Sequence, residues 1–329
     1  MDEFRTHELQ LPPDPAGVRL DQALARALPQ YSRSRLRAWI DAGAVQLEGR
    51  IPRPRDLVFG GEHVLVHARV EPQVSVAPEA LPLDVVHEDR ALLVINKPAG
   101  LIVHPGAGHP AHTLQNALLA LDPRLALLPR AGLVHRLDRD TSGLLVVART
   151  LEAHTHLVAA LAAREIERRY LAVCTGVLTA GQSIREPIGR HRTVRTRMAV
   201  RSDGRPAVTH VRVVRRFRAH TLLEAQLETG RTHQIRVHLA HAGYPLVGDP
   251  TYGGRRRLPA GVTAELRDAL RSFARQALHA ARLGLEHPQT GRRLSWEAPL
   301  PADMNGLVAA LEADLGAAQP HAPGRAGRG

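Results

Sequence analysis

The amino-acid sequence predicts an α+β fold, in which helices and loops flank a mostly antiparallel mixed sheet and a small separate module stands at the N-terminus. Two observations predict it. Several predicted strands follow one another too closely for a crossover helix between them, which favours antiparallel pairing. A segment with three prolines, Val70–Pro82, divides the 329-residue chain after about fifty residues of helix and strand patterns, and it is typical of a linker.

The N-terminal module is predicted from two segments of helical spacing and two short strands, Leu20–Leu28, Ser32–Ala42, Val45–Leu47 and Val64–Val66. Gly43 is a typical helix stop after the second segment. We expect the module to span residues 19–69, after an N-terminal extension over residues 1–18. The linker then covers residues 70–82.

Beyond the linker, apolar runs and helical spacing alternate irregularly. They predict strands at Ala91–Ile95, Gly143–Ala148, Tyr170–Thr175, Val208–Phe217 and Thr221–Glu228, and helices at Thr113–Leu121 and Leu151–Ala163. In the second helix, Leu157, Val158 and Leu161 are expected to face the core. This larger domain is predicted to span residues 83–316, and residues 317–329 are predicted to be a disordered tail.

The chain is strongly basic, with 44 Lys and Arg against 32 Asp and Glu, a formal charge of +12. Lys97 is its only lysine, so arginine carries almost all of the positive charge. From Arg185 to Arg218 there are eleven arginines and only two acidic residues, a net charge of +9. This segment predicts a basic sheet edge or ribbon that contacts phosphate, although a merely solvated face would have the same composition.

Several classes of protein are disfavoured by what the sequence lacks. Cys174 is the only cysteine, which excludes an internal disulfide and a cysteine-rich zinc site. There is no phosphate-binding glycine motif and no GxSxG, and neither HExxH nor a carboxylate pattern accompanies His233, His238 and His241. We therefore expect no metal, cofactor or small-molecule cosubstrate. Without a signal peptide or a long apolar run, a soluble cytoplasmic protein outside the membrane is expected, most simply a monomer.

Three segments could carry chemistry. The first, HRLDRDTSG from His135 to Gly143, places two carboxylates among cationic side chains just before a buried strand. Loops at the ends of rigid strands often hold catalytic groups. A capped turn is the alternative; it suits Asp140, which stands beside Thr-Ser-Gly, better than it suits Asp138.

The second segment is GRTHQIRVH, from Gly230 to His238. Thr232 is expected to cap the helix that follows, so that Arg231 would lie beside free helix-terminal amides and hold a carboxylate or phosphate. It could instead be a surface arginine. The third segment begins the strand at Tyr170, after two arginines. Packing is the ordinary role of such a tyrosine, and stacking on a nucleic-acid base is the alternative.

Together these motifs resemble those of the RluA-type family of RNA pseudouridine synthases. The resemblance rests on five segments in order, NKPAGLIVHPG, HRLDRDTSG, GRTHQIRVH, LVGDPTYGG and RQALHA. The N-terminal segments RLDQALA and SRSRLRAWIDAGAV resemble the S4 RNA-binding domain. With EPIGRHRTVRTRMAV, the combination is most similar to the branch of the family that acts on the helix 69 stem-loop of 23S ribosomal RNA.

The resemblance implies a pseudouridine synthase fold and a role for each matching residue. Asp138 would be the catalytic aspartate and Arg231 its ion-pair partner. Tyr170 would lie against the target base, and Arg136 would enter the RNA stack when the uridine flips out. Leu278 in RQALHA would line the pocket, and Lys97 in NKP would give structural support.

The function expected is therefore isomerisation of uridine to pseudouridine in 23S ribosomal RNA, in the helix 69 stem-loop. Two alternatives stay open. The same chemistry could act on other 23S or transfer RNA uridines, or the chain could be an S4-type RNA-binding assembly factor whose catalysis is dispensable. The partner in each case is RNA, free or within a large-subunit precursor.

Overall fold

A computed structural model of the chain describes residues 3–14, 16–31, 33–70, 76–106, 108–194, 196–254, 258 and 260–318, without the side chains of residues 3–5 and 68–70. Residues 71–75 of the predicted linker and 319–329 of the predicted tail lie outside the described residues. Within these described ranges, no helix has the length and apolar character needed to span a membrane.

Strands and helices alternate irregularly along the described part of the chain. The strands are β1 (Glu3–Gln10), β2 (Val18–Arg19), β3 (Val45–Leu47), β4 (Leu57–Val58), β5 (His63–Val70), β6 (Val85–Glu88), β7 (Leu92–Lys97), β8 (Ser142–Ala148), β9 (Glu167–Thr175), β10 (Gln182–Ile184), β11 (Ile188–Arg190), β12 (Met198–Val200), β13 (Thr209–Arg216), β14 (His220–Leu227), β15 (Leu278–Glu286) and β16 (Arg293–Glu297). The α-helices are α1 (Leu20–Ala27), α2 (Arg33–Asp41), α3 (Leu114–Leu121), α4 (Leu151–Ala163), α5 (Gln234–His241), α6 (Ala264–Ser272) and α7 (Ala302–Ala317). Two short 3₁₀ helices, Pro123–Leu127 and Pro129–Gly132, follow α3.

The N-terminal module packs α1 and α2 beside a three-stranded antiparallel sheet of order β1-β5-β3. Leu36 and Ile40 of α2, four residues apart on one helix face, are buried. Strand β1 comes from the predicted N-terminal extension and pairs with β5 over its whole length. It covers an edge of β5 that would otherwise be open to another chain, so this part of the extension belongs to the sheet of the module.

The larger domain is built on a nine-stranded sheet of order β10-β13-β14-β9-β15-β8-β7-β6, with β16 paired to β15. Every pairing is antiparallel except that of β15 with β8. The predicted α+β class with a mostly antiparallel sheet is therefore confirmed. The parallel pair lies in the middle of the sheet, where all seven residues of β8 are buried.

Helix α4 shows how local sequence sets the packing on this sheet. The Thr150 side chain accepts a hydrogen bond from the backbone N–H of Ala153 and caps the helix at its predicted start. Leu157 is fully buried, as predicted, but Val158 is 45% exposed, so the predicted core stripe is wrong at that position. Ala153 takes its place in the core, because a helix face repeats every three to four residues and Val158 directly follows Leu157.

Candidate active site

The loop that carries Asp138 runs from His135 into β8 and is anchored on both sides. Leu137 is buried beside Asp138, and the backbone N–H of Thr141 donates to the carbonyl of Asp138 at 3.1 Å. The Asp140 side chain pairs with Arg139, and so the predicted capping of local backbone amides by Asp140 is not observed. Asp138 is thereby the carboxylate that the loop turns toward the cavity described below.

Lys97 holds this loop from beneath. Its side chain is fully buried, and its ammonium group donates to the carbonyls of Pro98, Leu101 and Arg139 at 2.7 to 2.9 Å. Burial lowers the pKa of Lys97 to about 7, while the nearby carboxylates of Asp140 and Asp138 act in the opposite direction. Since the Arg139 carbonyl directly follows Asp138, Lys97 fixes the backbone on which the carboxylate stands.

Asp138 is paired with Arg236, not with Arg231. Nη1 of Arg236 lies 2.9 Å from Oδ2 of Asp138, and the other edge of the same guanidinium forms a bidentate pair with Asp249 at 2.7 and 2.9 Å. Arg236 and Asp249 are both buried. Burial raises the pKa of Asp249, but the guanidinium and two backbone N–H groups outweigh it and leave that pKa lowered. The expected Asp138–Arg231 pair is thus wrong.

The beginning of α5 explains why Arg236, and not Arg231, pairs with Asp138. The helix begins at Gln234, and His233 precedes it in the left-handed conformation with φ 58° and no side-chain cap. The predicted cap by Thr232 is therefore wrong. Instead, the amide oxygen of Gln234 accepts a hydrogen bond from the Arg231 N–H. Nε of Arg231 donates to the carbonyl of Pro206 at 3.2 Å, which places Arg231 in the wall of the cavity while Arg236 reaches Asp138 from the first turn of the helix.

A cavity of about 650 Å³ opens beside the Asp138 carboxylate. It is lined by all five of the residues singled out from the sequence, Arg136, Asp138, Tyr170, Arg231 and Leu278. Tyr170 and Leu278 are buried in its floor, and Arg136 is exposed. Burial raises the pKa of Tyr170, so its phenol stays protonated near neutral pH.

The wall of the cavity is cationic. Arg130, Arg136, Arg168, Arg231 and Arg236 line it, whereas Asp138 is the one carboxylate among the described lining residues. His233 stands 3.9 Å from Asp138, and burial is the main cause of the lowered pKa of His233. An excess of guanidinium groups around one carboxylate favours a polyanionic substrate.

Three residues of the site were not anticipated from the sequence: Arg236, Asp249 and Tyr252. The Tyr252 hydroxyl is 2.9 Å from Nδ1 of His233, and its ring lies 5.1 Å from the Arg236 guanidinium carbon. A signal was present, because LVGDPTYGG contains both Asp249 and Tyr252 and the second arginine of GRTHQIRVH is Arg236. Only the three-dimensional fold shows which arginine faces the aspartate.

Across the described ranges, no three His, Cys, Asp or Glu side chains come together in an arrangement that could hold an ion. His238 bonds to Thr209 and to the carbonyl of Glu186, both at 2.9 Å. The buried imidazole is therefore part of the protein's own hydrogen-bond network.

Comparison with protein families gives two matches along the chain. A family model described as RNA pseudouridylate synthase matches residues 91–241, which include Asp138, Tyr170 and Arg236. A model of the S4 domain matches residues 18–64, within the N-terminal module. The two matches fall on the two parts that the linker separates.

Relatives extend the similarity to most of the chain. Ribosomal large subunit pseudouridine synthase D of Xanthomonas campestris pv. campestris is 55% identical over 304 residues, 92% of this chain and 92% of the relative. The protein of the same name in Pseudomonas aeruginosa is 52% identical over 314 residues, which are 95% of this chain and 98% of the relative. The protein of that name in Escherichia coli K12 is 53% identical over 300 residues, which are 91% of this chain and 92% of the relative.

Two solved structures are similar to part of the chain. Human RNA Pseudouridylate Synthase Domain Containing 4 and Domain Containing 1 superimpose with TM-scores of 0.55 and 0.52, each at 27% identity and over 70% of this chain. They are covered over 93% and 95% of their own lengths. The chain therefore belongs to the RluA-type family of RNA pseudouridine synthases, which are isomerases, and it is similar over more than nine-tenths of its length to ribosomal large subunit pseudouridine synthase D.

Proposed function

We propose that this protein isomerises uridine to pseudouridine in 23S ribosomal RNA, in the stem-loop of helix 69. The observation that carries the proposal is the Asp138 carboxylate, held by Arg236 at 2.9 Å in the wall of a cationic cavity. The ribosomal substrate is supported by the relatives that share 52 to 55% of their residues with the chain and are named as large-subunit enzymes. The same substrate would place the protein in the cytoplasm.

The chemistry needs one carboxylate and no cosubstrate. The bond between N1 of uracil and C1′ of ribose breaks, the base turns, and a new bond joins C5 to C1′. C5 loses a proton and N1 gains one, so substrate and product are isomers. Asp138 would attack C1′, add to the base or take the 2′ proton. A glycoside hydrolase would normally place two carboxylates around its substrate. Among the described residues that line this cavity, Asp138 is the one carboxylate.

The position of Asp138 in a cavity requires the target nucleotide to leave the RNA stack. Unstacking and unpairing cost a few kcal/mol. Arg136, exposed at the cavity, is suited to fill the gap in the stack, and the buried Tyr170 and Leu278 offer an apolar floor to the base. An enclosed floor also limits the access of water, which would otherwise hydrolyse the cleaved intermediate.

The RNA around the target would lie on the basic segment. Strands β11 and β12 form a two-stranded antiparallel ribbon, and Arg190, Arg192 and Arg197 are exposed on it or in its connecting loop. The ribbon is tied to the cavity, because the Met198 N–H donates to the Tyr252 hydroxyl at 2.8 Å. Phosphates bound along the ribbon would therefore continue toward Asp138, and the S4 module offers a second contact with RNA.

The deciding experiment is the Asp138→Asn substitution. The variant keeps the size of the side chain but removes the charge, and pseudouridine should be lost at the target sites. Pseudouridines are mapped by carbodiimide treatment and reverse-transcription stops on 23S RNA from a deletion strain that expresses either protein. Undiminished pseudouridine with Asp138→Asn refutes the catalytic assignment, and loss in the deletion strain only outside helix 69 refutes the target.

A second function is favoured by the S4 match at residues 18–64. If the protein also assists subunit assembly by binding RNA, the Asp138→Asn protein will restore growth and subunit assembly to the deletion strain without restoring pseudouridine. Failure of that rescue, with the variant expressed at the wild-type level, shows that catalysis is the function that matters.

A further inference from the structure

The cavity contains a buried cation for which the steps above give no role. Arg168 is only 7% exposed and lines the cavity from strand β9. Its Nε is buried without a hydrogen-bond partner, and none of the described residues forms an ion pair with its guanidinium. A buried charge that lacks a partner is strongly unfavourable, so the position calls for a negatively charged ligand.

The strand directs Arg168 and Tyr170 to the same side. They are two residues apart on β9 and both are buried, whereas Arg169 between them is half-buried and pairs with Glu167 at 2.5 Å and with Glu224 at 3.4 Å. Alternate side chains of a strand point to the same face. The unpaired guanidinium therefore lies on the face where Tyr170 would contact the flipped base.

A glycine in the neighbouring motif leaves room for this guanidinium. A Cβ atom built on Gly230 would lie 3.0 Å from Nη1 of Arg168. That separation is tighter than an ordinary van der Waals contact, so a side chain at position 230 would require the guanidinium of Arg168 to shift by a few tenths of an ångström. The glycine of GRTHQIRVH leaves room for Arg168 in its observed position.

A second donor without a partner lines the same cavity. His135 accepts the backbone N–H of Val146 on its Nε2 atom at 3.2 Å, so the proton of the neutral ring is on Nδ1, and that atom is buried without a partner. Burial, with the charge of Arg168, lowers the pKa of His135 to about 3. The ring therefore stays neutral at physiological pH, and its N–H is a donor without a partner on a residue that lines the cavity.

We propose that Arg168, assisted by the Nδ1–H of His135, binds a carbonyl oxygen of the target uracil and stabilises the negative charge that develops on the base. The inference rests on the proposed reaction at Asp138. In all three routes open to Asp138 the base gains charge: as N1–C1′ breaks, the electron pair of the bond stays on uracil, and addition of the carboxylate to the base produces an enolate. That charge spreads to the carbonyl oxygens, and a preorganised guanidinium lowers its free energy most in a dry site.

The arrangement also accounts for selection of uracil. Both groups are hydrogen-bond donors, and O4 of uracil accepts them, whereas the amino group that cytosine carries at C4 is itself a donor. A phosphate oxygen is the other acceptor that RNA offers, and it would be bound with the same affinity in ground state and transition state. The two acceptors are therefore distinguished by whether Arg168 affects the rate or the affinity.

The test compares Arg168→Met and Arg168→Lys with the neighbouring control Arg169→Gln. The substrate is the large ribosomal subunit from the deletion strain, and single-turnover rates are measured at saturating enzyme, with dissociation constants measured separately. We expect Arg168→Met to lower the rate about 100-fold, as loss of one oxyanion donor does, with little change in affinity. Arg168→Lys should retain part of the rate, and Arg169→Gln should be close to wild type.

Stability separates this role from a structural one. Replacing an unpaired buried charge with an apolar side chain of similar length should leave the melting temperature of Arg168→Met unchanged or raise it. A lower melting temperature together with a lower rate would make Arg168 a structural residue and overturn the inference. A normal rate for Arg168→Met would also overturn the inference. If binding is weaker while the rate at saturation stays normal, Arg168 binds a phosphate and not the base. An inactive wild-type protein would instead refute the proposed reaction itself.

Discussion

The guanidinium of Arg236 contacts the carboxylate of Asp138 at 2.9 Å and binds a second, fully buried carboxylate with its other edge. One arginine thus connects the loop before β8 with the segment after α5. Because its planar group presents donors along two edges, it can hold Asp138 in a fixed orientation while it neutralises Asp249. The orientation of the carboxylate that we propose as catalytic therefore depends on a residue that does not itself need to touch the substrate.

This arrangement predicts a sharp difference between the two arginines of the motif. Arg236→Gln leaves Asp249 buried without a cation, so the free energy of unfolding should fall by about 3–5 kcal/mol, and activity should be lost. Arg231→Gln removes a half-buried side chain that bonds only a carbonyl, and it should cost about 1 kcal/mol or less. Urea denaturation and pseudouridine formation measure both. The opposite order, with Arg231→Gln the more damaging, would contradict the assignment of the ion pair.

Lys97 provides a second prediction, about the support of the loop. Lys97→Met keeps the length of the side chain but leaves the carbonyls of Pro98, Leu101 and Arg139 without their donor. Since each unsatisfied buried acceptor costs about 1–3 kcal/mol, the free energy of unfolding should fall by about 3 kcal/mol or more, and the rate at saturating substrate should fall with it. Arg139→Gln is the matched control, because its exposed side chain pairs only with Asp140. Equal stability of the two variants would argue against the supporting role.

Much of the fold could be predicted from the sequence because it rests on local patterns. The continuous apolar run from Gly143 to Ala148 is the buried strand β8, and the predicted limits of the helix Leu151–Ala163 are confirmed. The antiparallel class followed from the short connections between strands. Strand β1, in contrast, is held by its pairing with β5, a contact between segments more than fifty residues apart that no local pattern reveals.

Five residues that line the cavity were predictable from their motifs, but the ion pair that holds Asp138 was not. Asp138 was recognisable from its motif, and it does line the cavity. Its partner was misassigned because the first turn of α5 depends on His233 in a left-handed conformation and on the side chain of Gln234. The role suggested for Arg168 was hidden for a similar reason, since an arginine within a basic strand looks like a solvent-exposed charge until its burial is known.

The basic ribbon predicts a change in the salt dependence of RNA binding. Arg192 and Arg197 are exposed in the loop between β11 and β12, so the double substitution to Gln should remove about two phosphate contacts. The slope of log K against log salt should then fall by about 1.5–2, with the single-turnover rate at saturation unchanged. Filter binding across a salt series measures the slope. Arg267 and Arg292 are exposed elsewhere and supply a control of equal charge; an equal effect from that pair would show that the overall charge, not the ribbon, controls binding.

Buried histidines predict how the stability of the fold depends on pH. Burial lowers the pKa of His135 to about 3 and that of His220 to about 4, whereas a histidine in the unfolded chain titrates near pH 6.5. Below about pH 6.5 these two histidines therefore bind protons in the unfolded chain but stay neutral in the folded chain. The free energy of unfolding then falls as the solution is acidified, by at most about 1.4 kcal/mol per pH unit for each histidine. The loss from His135 continues to about pH 3, and that from His220 ends near pH 4.

Substitution by glutamine tests this separately for each residue. His135→Gln supplies a neutral side chain whose amide oxygen can still accept the Val146 N–H, so it should lose less stability than wild type between pH 7 and pH 4 even if it is less stable at pH 7. His220→Gln should likewise lose less stability than wild type on acidification, over a range that ends near pH 4. Urea denaturation at half-unit pH intervals gives the two slopes. A slope for His135→Gln as steep as that of the wild type would mean that the ring is protonated in the folded protein, and it would remove His135 as the neutral donor beside Arg168.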